Sequence, residues 1–220
     1  NIYKNGAGAG LHLNLYRSRG DKTTPAVVQD EDNIGGTLFY GHDGSAYKPA
    51  ARITAEVDGT PGSDDMPGKL LFGTTPDGSA AIIDRMSIDN MGRVGIGTTD
   101  PGTRFQIDHT QPYITLKNTT AENTDGGAES KVIFEDHSNA SLAEIEAAHD
   151  GSADDTKGRF SFKVNNGSGL QNALTIFNDQ NVQTGGDLTV GGGDIRGPTD
   201  GSLTIKADTD LIFKIDNDGD

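Results

Sequence analysis

The chain has 220 residues, 31 of them glycine, and contains no cysteine, which removes any disulfide framework and any thiolate chemistry. A formal charge of −15, with 18 Lys and Arg scattered among 33 Asp and Glu, argues against a nucleic-acid partner, because phosphate binding needs clustered cations. Leu, Ile, Val and Phe make up only about a fifth of the residues, which is a thin core, and no apolar run nears the roughly 18 residues of a membrane span.

The first ten residues carry no signal-peptide pattern, and the missing initiator Met leads us to expect a fragment or a processed piece. Period-two alternation then recurs along the chain, at Leu11, Leu13 and Leu15, at Ile53, Ala55 and Val57, and at Phe160, Phe162 and Val164. It continues through Leu174 and Ile176 to Leu211, Phe213 and Ile215. Each run reads as a short, half-buried strand. Between the runs fall Asp43-Gly44, Asp58-Gly59, Asp77-Gly78, Asp150-Gly151, Asn166-Gly167 and Asp200-Gly201, pairs that tolerate the positive φ of tight turns. Many short strands with regular turns predict an all-β fold of short antiparallel strands.

One segment pulls the other way. Ser141-Leu-Ala-Glu144, followed by Ile-Glu-Ala-Ala, has the form of a capping box opening a helix. A diverged internal repeat favours a strand instead. Leu13 and Leu15 match Ile114 and Leu116, Phe39 matches Phe134, Ile53 with Asp58-Gly59 matches Ile145 with Asp150-Gly151, and Gly68 and Phe72 match Gly158 and Phe162. Ile88 and Val94 match Ile176 and Val182. In that register Ala143, Ile145 and Ala147 point one way and Glu144 and Glu146 the other, as in a half-buried strand. The expected organisation is a first β module over residues 1–97, a connector over 98–112, a second, diverged copy over 113–184, and a Gly-rich repetitive shaft over 185–220.

Residues 58–72 read D-G-T-P-G-S-D-D-M-P-G-K-L-L-F, and residues 85–101 read R-M-S-I-D-N-M-G-R-V-G-I-G-T-T-D-P. These strings, the R-M-x-I-D-x-x-G-x-V-G-I-G-T type above all, resemble a module of bacteriophage tail-fibre and tail-spike proteins. The resemblance covers residues 11–101 best, the second copy weakly and the shaft in texture. It implies a homotrimer of β modules strung along a fibre, intertwined or packed, and other virion fibre or baseplate proteins as neighbours. It further implies a host cell-surface glycan or protein as receptor and a place on the virion, outside the cell.

Composition supports the same expectation independently, since a module with so little apolar area gains stability when three copies share their apolar faces, at about 25 cal/mol per Å² buried. The candidates for that shared core are Leu13, Leu15, Phe39, Ile53, Phe72, Ile88, Val94, Ile96, Ile145, Phe160, Phe162, Ile176 and Phe213. Gly92, Gly95 and Gly97 would let backbones turn sharply or approach closely there, or act as plain turn glycines.

Catalytic chemistry has no visible anchor. Carboxylates are plentiful enough to leave a polysaccharide depolymerase open as an alternative, yet most sit in turns beside Gly, Ser and Thr, where Asp serves backbone hydrogen bonds. His12, His42, His109, His137 and His149 lack metal-ligand spacing, and no cofactor is expected. The acidic end Asp216-Asn-Asp-Gly-Asp220 departs from a calcium loop in the place of its glycine, and Arg19-Gly20-Asp21 is a tripeptide too short to weigh. A bacterial extracellular filament or surface adhesin is the remaining alternative. The expected function is mechanical reach and host recognition with no enzymatic activity.

Overall fold

The computed structural model describes residues 13–120, 124–151 and 156–188. The expected shaft beyond residue 188, Phe213 within it, Leu11 and the acidic end lie outside the described residues. Two compact units divide the chain, residues 1–114 and 115–220, and among the described residues there is no helix. The fold is all-β, as the alternation predicts, and its sheets are antiparallel but for one strand pair.

Unit 1 opens with a small ribbon, β1 (Arg19–Gly20) and β2 (Pro25–Ala26). A six-stranded sheet follows, formed by β3 (Asn33–His42), β4 (Tyr47–Val57), β5 (Gly68–Thr74), β6 (Ile83–Ile88), β7 (Val94–Ile96) and β8 (Phe105–Ile107), side by side in chain order. The last pair, β7 with β8, is parallel. Strand β8 falls within the residues read as a connector. Residues 97–104 make the crossover, with Gly97 at φ +78° and Pro101 fully buried, where parallel pairs usually need a dozen or more residues. Phe105 and Ile107 then carry the apolar alternation of Val94 and Ile96 onto one more strand.

Unit 2 is a five-stranded antiparallel meander of β9 (Ser130–Glu135), β10 (Ser141–His149), β11 (Gly158–Asn165), β12 (Leu170–Ile176) and β13 (Val182–Thr184). The capping-box segment is therefore strand β10. Its Glu144 is claimed across the sheet by Lys163 at 2.7 Å, and tertiary pairing of this kind outweighs local helix propensity.

Strand for strand, the two sheets share one register. Ile53 faces Phe72 as Ile145 faces Phe162, and Leu70 faces Ile88 as Phe160 faces Ile176. Ile88 faces Val94 as Ile176 faces Val182. Even the irregularity recurs, since the ladder slips between Phe72 and Gly73 in one sheet and between Phe162 and Lys163 in the other. The correspondence reaches upstream of the sheets: Glu31 donates to the Val57 carbonyl and Val57 to that of Asp32, as Gly126 donates to His149 and His149 to Gly127. The glycines of the six described Asp-Gly and Asn-Gly pairs, Asp125-Gly126 among them, all have positive φ, from +75° at Gly78 to +126° at Gly59.

The segment around Leu13 and Leu15, expected as a strand, joins no ladder. Arg17 donates from Nη1 to the Asn33 carbonyl at 2.6 Å, and the side chain of Leu15 lies over Gly35. Unit 2 holds its own leading segment in the same way, with Ser130 Oγ donating to the Leu116 carbonyl and Asn118 to that of Glu129. Side-chain contacts thus fix both segments beside the first strand of their sheet.

Candidate assembly faces

Each sheet is one layer with two unlike faces. Because cross-strand partners point to the same side, register alone assembles the first face in unit 1 from Phe39, Ile53, Phe72, Ile88, Val94 and Ile96, with Leu70, Met86, Phe105 and Ile107 among them. In unit 2 it assembles Ile145, Phe160, Phe162 and Ile176, with Val132, Phe134, Val164, Leu174 and Val182. Ten of the expected core positions therefore lie on these two faces. Leu13 and Leu15 stand outside the ladder, and Phe213 lies outside the described residues.

These faces are apolar and uncovered within their own unit. Phe39 is 51% exposed and Phe134, its counterpart, 50%, while Phe160, Phe162 and Ile176 are each more than a third exposed. Apart from Val57, fully buried at the end of β4, burial in the sheets falls instead on the polar side. Glu146 is 1% exposed, and Ser161, Thr175, Thr54 and Ser87 are buried with it. A monomer that leaves phenylalanines in water while burying a glutamate inverts the usual partition of side chains.

An ion network makes the burial of Glu146 possible. Its Oε2 lies 2.7 Å from Lys163 Nζ and 2.9 Å from Lys131 Nζ, while Glu144 Oε1 takes Lys163 at 2.7 Å and Glu129 takes Lys131 at 2.8 Å. Burial pushes the Glu146 carboxyl up, but its two ammonium partners outweigh that and hold it below its ordinary value. Burial likewise works to lower Lys163, and Glu144 with Glu146 raise it. Lys131 is raised by Glu129 and then by Glu146.

The string R-M-x-I-D-x-x-G-x-V-G-I-G-T is the β6–β7 hairpin. Met86 and Ile88, Val94 and Ile96 supply the apolar face, and Asp89 closes the turn between them. Its carboxylate accepts from the backbone N–H groups of Met91 and Arg93 and from the Arg93 guanidinium, with Gly92 at φ +70° in between. Burial raises the Asp89 carboxyl and these donors lower it further, so the net displacement is downward. Gly95 has no room for a side chain, since a Cβ there would meet the Thr98 carbonyl and Ser87 Oγ. The close approach expected of this glycine is thus made to its own chain.

A second clamp recurs in both units. Asp58 Oδ2 accepts from the backbone N–H of Asn90 at 2.8 Å, and Asp150 Oδ2 accepts from that of Asn178 at 2.7 Å. The glycine after each aspartate donates to a further aspartate, Gly59 to Asp30 and Gly151 to Asp125. Sequence reasoning placed Asp58-Gly59 and Asp150-Gly151 in register but missed the asparagines, which stand one residue after Asp89 and Phe177 and share the repeat offset of Ile88 and Ile176.

Carboxylates outside the sheets serve turns. Asp43 Oδ1 takes both Ser45 donors and the Ala46 N–H, as Asp136 Oδ1 takes both Ser138 donors and the Ala140 N–H. In the Arg19-Gly20-Asp21 tripeptide, Arg19 grips Asp32 with two hydrogen bonds and Asp21 accepts three from Thr23 and Thr24. Among the described residues, every carboxyl with a resolved displacement, Asp21, Asp32, Asp43, Asp89, Asp136, Glu146 and Asp150, is moved downward. Among the described residues no group of His, Asp and Glu has the geometry of a metal site.

No family model and no curated protein matches the chain. Among solved structures it is similar to the carboxy-terminal domain of the bacteriophage T5 L-shaped tail fibre, with a TM-score of 0.43 and 12% identity over 93% of this chain and 98% of that one. It is also similar to that domain with its intra-molecular chaperone domain, with a TM-score of 0.44 and 12% identity over 98% of this chain and 72% of that one.

Proposed function

We propose that the chain is a segment of a bacteriophage fibre in which three copies close their apolar sheet faces on one another, giving the virion reach and a surface for host recognition. The observation that carries this reading is the inversion of burial, with phenylalanine and isoleucine rows open on one face of each sheet while Glu146 is buried on the other. Uncovered apolar surface of that extent marks an interaction face. Its repetition in both units points to one rule of assembly applied twice. The R-M-x-I-D-x-x-G-x-V-G-I-G-T string supports the choice of family. Among the described residues, the aspartates employed in turns have their carboxyls displaced downward, opposite to the raised carboxyl that a glycosidase uses as its acid.

Light scattering of the purified chain tests the proposal. A mass of three times 23.1 kDa is expected. A stable monomer at micromolar concentration, with the same sheets, would overturn the shared core and leave the apolar faces for a different partner.

A further inference from the structure

We infer that Asp77-Gly78, in the loop between β5 and β6, is a site of spontaneous covalent modification, where the folded chain converts aspartate to isoaspartate in preference to its other Asp-Gly pairs. The chemistry is intramolecular. The Gly78 backbone nitrogen attacks the carbon of the protonated Asp77 side-chain carboxyl, and the N–H proton leaves with the carboxyl hydroxyl as water, closing a five-membered imide. Water then opens the imide at either carbonyl. One opening restores aspartate, and the other gives isoaspartate, in which the main chain runs through the β-carbon. Glycine favours the attack because no Cβ hinders its nitrogen.

Sequence alone offers this chemistry at every Asp-Gly pair, and the structure withholds it at all but one of those described. A glycine N–H that donates a hydrogen bond must give it up before its nitrogen can attack. Gly44 donates to His42 Nδ1, Gly59 to Asp30 Oδ1, Gly126 to the His149 carbonyl and Gly151 to Asp125 Oδ1. The aspartates of these pairs are engaged as well. Asp43 accepts from Ser45 and Ala46, Asp58 from Asn90, Asp125 from Arg159 and Asp150 from Asn178. For Asp43 and Asp150 those donors also hold the carboxyl below its ordinary value, which opposes the protonation that the loss of water requires.

Among the described residues, Gly78 alone of these glycines has an N–H with no acceptor, and the Asp77 carboxylate accepts no hydrogen bond. Ser79 N–H reaches the Pro76 carbonyl at 3.2 Å, so Asp77 and Gly78 are the two central residues of that turn, both exposed. A Cβ at Gly78 would meet nothing within 4 Å. The equivalent turn of unit 2 is restrained where this one is open. There Gly167 donates to Asn165 Oδ1 at 2.8 Å and Ser168 to Asn166 Oδ1 at 3.0 Å. The β5–β6 ladder closes at Thr74 and Ile83, so the extra main-chain atom of isoaspartate at residue 77 falls outside the sheet.

The test is to age the whole chain at neutral pH and 37 °C, once native and once in urea, and to map isoaspartate peptide by peptide with an isoaspartyl methyltransferase and electron-transfer fragmentation. In the native chain residue 77 should carry about fivefold or more the isoaspartate of residues 43, 58, 125 or 150, the factor expected from one retained hydrogen bond. In urea the five should converge. Asp77→Ser, which breaks no hydrogen bond, should remove the native signal. Isoaspartate spread evenly over the native chain, concentrated at another Asp-Gly pair, or absent from it overturns the inference. So does a preference for residue 77 that persists unchanged in urea, because neighbouring sequence and not the fold would then select the site.

Discussion

The two units keep one face and rewrite the other. On the apolar side, Ile53, Phe72 and Ile88 answer to Ile145, Phe162 and Ile176 with the same cross-strand neighbours. On the opposite side, unit 1 buries Leu71 and Thr54 and pairs Arg52 with Asp84, where unit 2 builds the Glu144, Glu146, Lys131 and Lys163 network. A face that meets only its own unit can be satisfied by methyl groups, a hydroxyl or an ion network. A face that must fit a partner cannot drift so freely. The difference between the faces supports the proposal that the apolar one is constrained from outside the unit.

The largest effect should come from placing charge on the constrained face. Phe162→Asp or Phe72→Asp would set an unpaired carboxylate in the proposed core, where burial without a partner is prohibitive. Light scattering should then report 23.1 kDa in place of three times that mass. An unchanged oligomer with an unchanged melting temperature would show that those rings meet no partner.

Next in size is the rewritten face. Glu146→Ala leaves Lys131 and Lys163 facing each other across β10 with a single carboxylate, Glu144, near both. Partial exposure of the lysines softens the loss to about 2 kcal/mol, below the 3–5 of a fully buried pair. The corresponding change in unit 1, Thr54→Ala, removes a hydroxyl only and should cost about 1 kcal/mol or less. Calorimetry on the two variants checks the ranking, and equal losses would break the comparison.

Much of this was legible in the sequence because strand alternation and Asp-Gly turns are local signals. Ile53 with Asp58-Gly59 and Ile145 with Asp150-Gly151 align by eye, and that register alone gathers most of the core candidates onto their faces. Strand β8 was not legible, since three residues beside Pro101 and Gly102 give too short a period to separate from a loop. Nor was the burial of Glu146, which depends on lysines contributed by β9 and β11; alternation tells which residues share a side and not which side is covered. The turn asparagines were hidden for another reason. Asn90 and Asn178 look like any polar turn residue until Asp58 and Asp150 reach them from strands distant in sequence.

Alkaline titration sharpens the contrast between the faces. Lys131 and Lys163 are raised in the folded chain, so the stability they contribute is complete below the ordinary lysine value of about 10.4 and is lost as pH rises through their higher folded values. In unit 1 the close pairs are between guanidinium and carboxylate, Arg52 with Asp84 and Arg93 with Asp89, while Lys69 stands 3.9 Å from Glu56 and Asp58. Hydrogen exchange resolved by segment should show β10 and β11 losing protection above about pH 10.4 while β4 and β5 keep theirs. On the acid side the sign reverses. Glu146 is lowered, so its contribution is complete above the ordinary carboxyl value of about 4.3 and declines as pH falls through its folded one.

The smallest expected effect tests what the units share. Asn178→Ala removes the side-chain amide from the Asp150 carboxylate but keeps the backbone N–H bond to the same oxygen, and Asn90→Ala removes an amide bond to the Asp58 backbone carbonyl while keeping the backbone N–H bond to the Asp58 carboxylate. Each should lower the melting temperature by about 2–4 °C, and by similar amounts. Replacing the aspartate instead, as Asp150→Ala or Asp58→Ala, breaks the backbone N–H bond in both units, at Asp150 together with the amide bond, and should cost more than the asparagine change. A clamp that matters in one unit alone would mean that the shared turn is inherited without being needed. Equal costs would place these aspartates with the apolar faces, as parts of the module that neither copy can exchange.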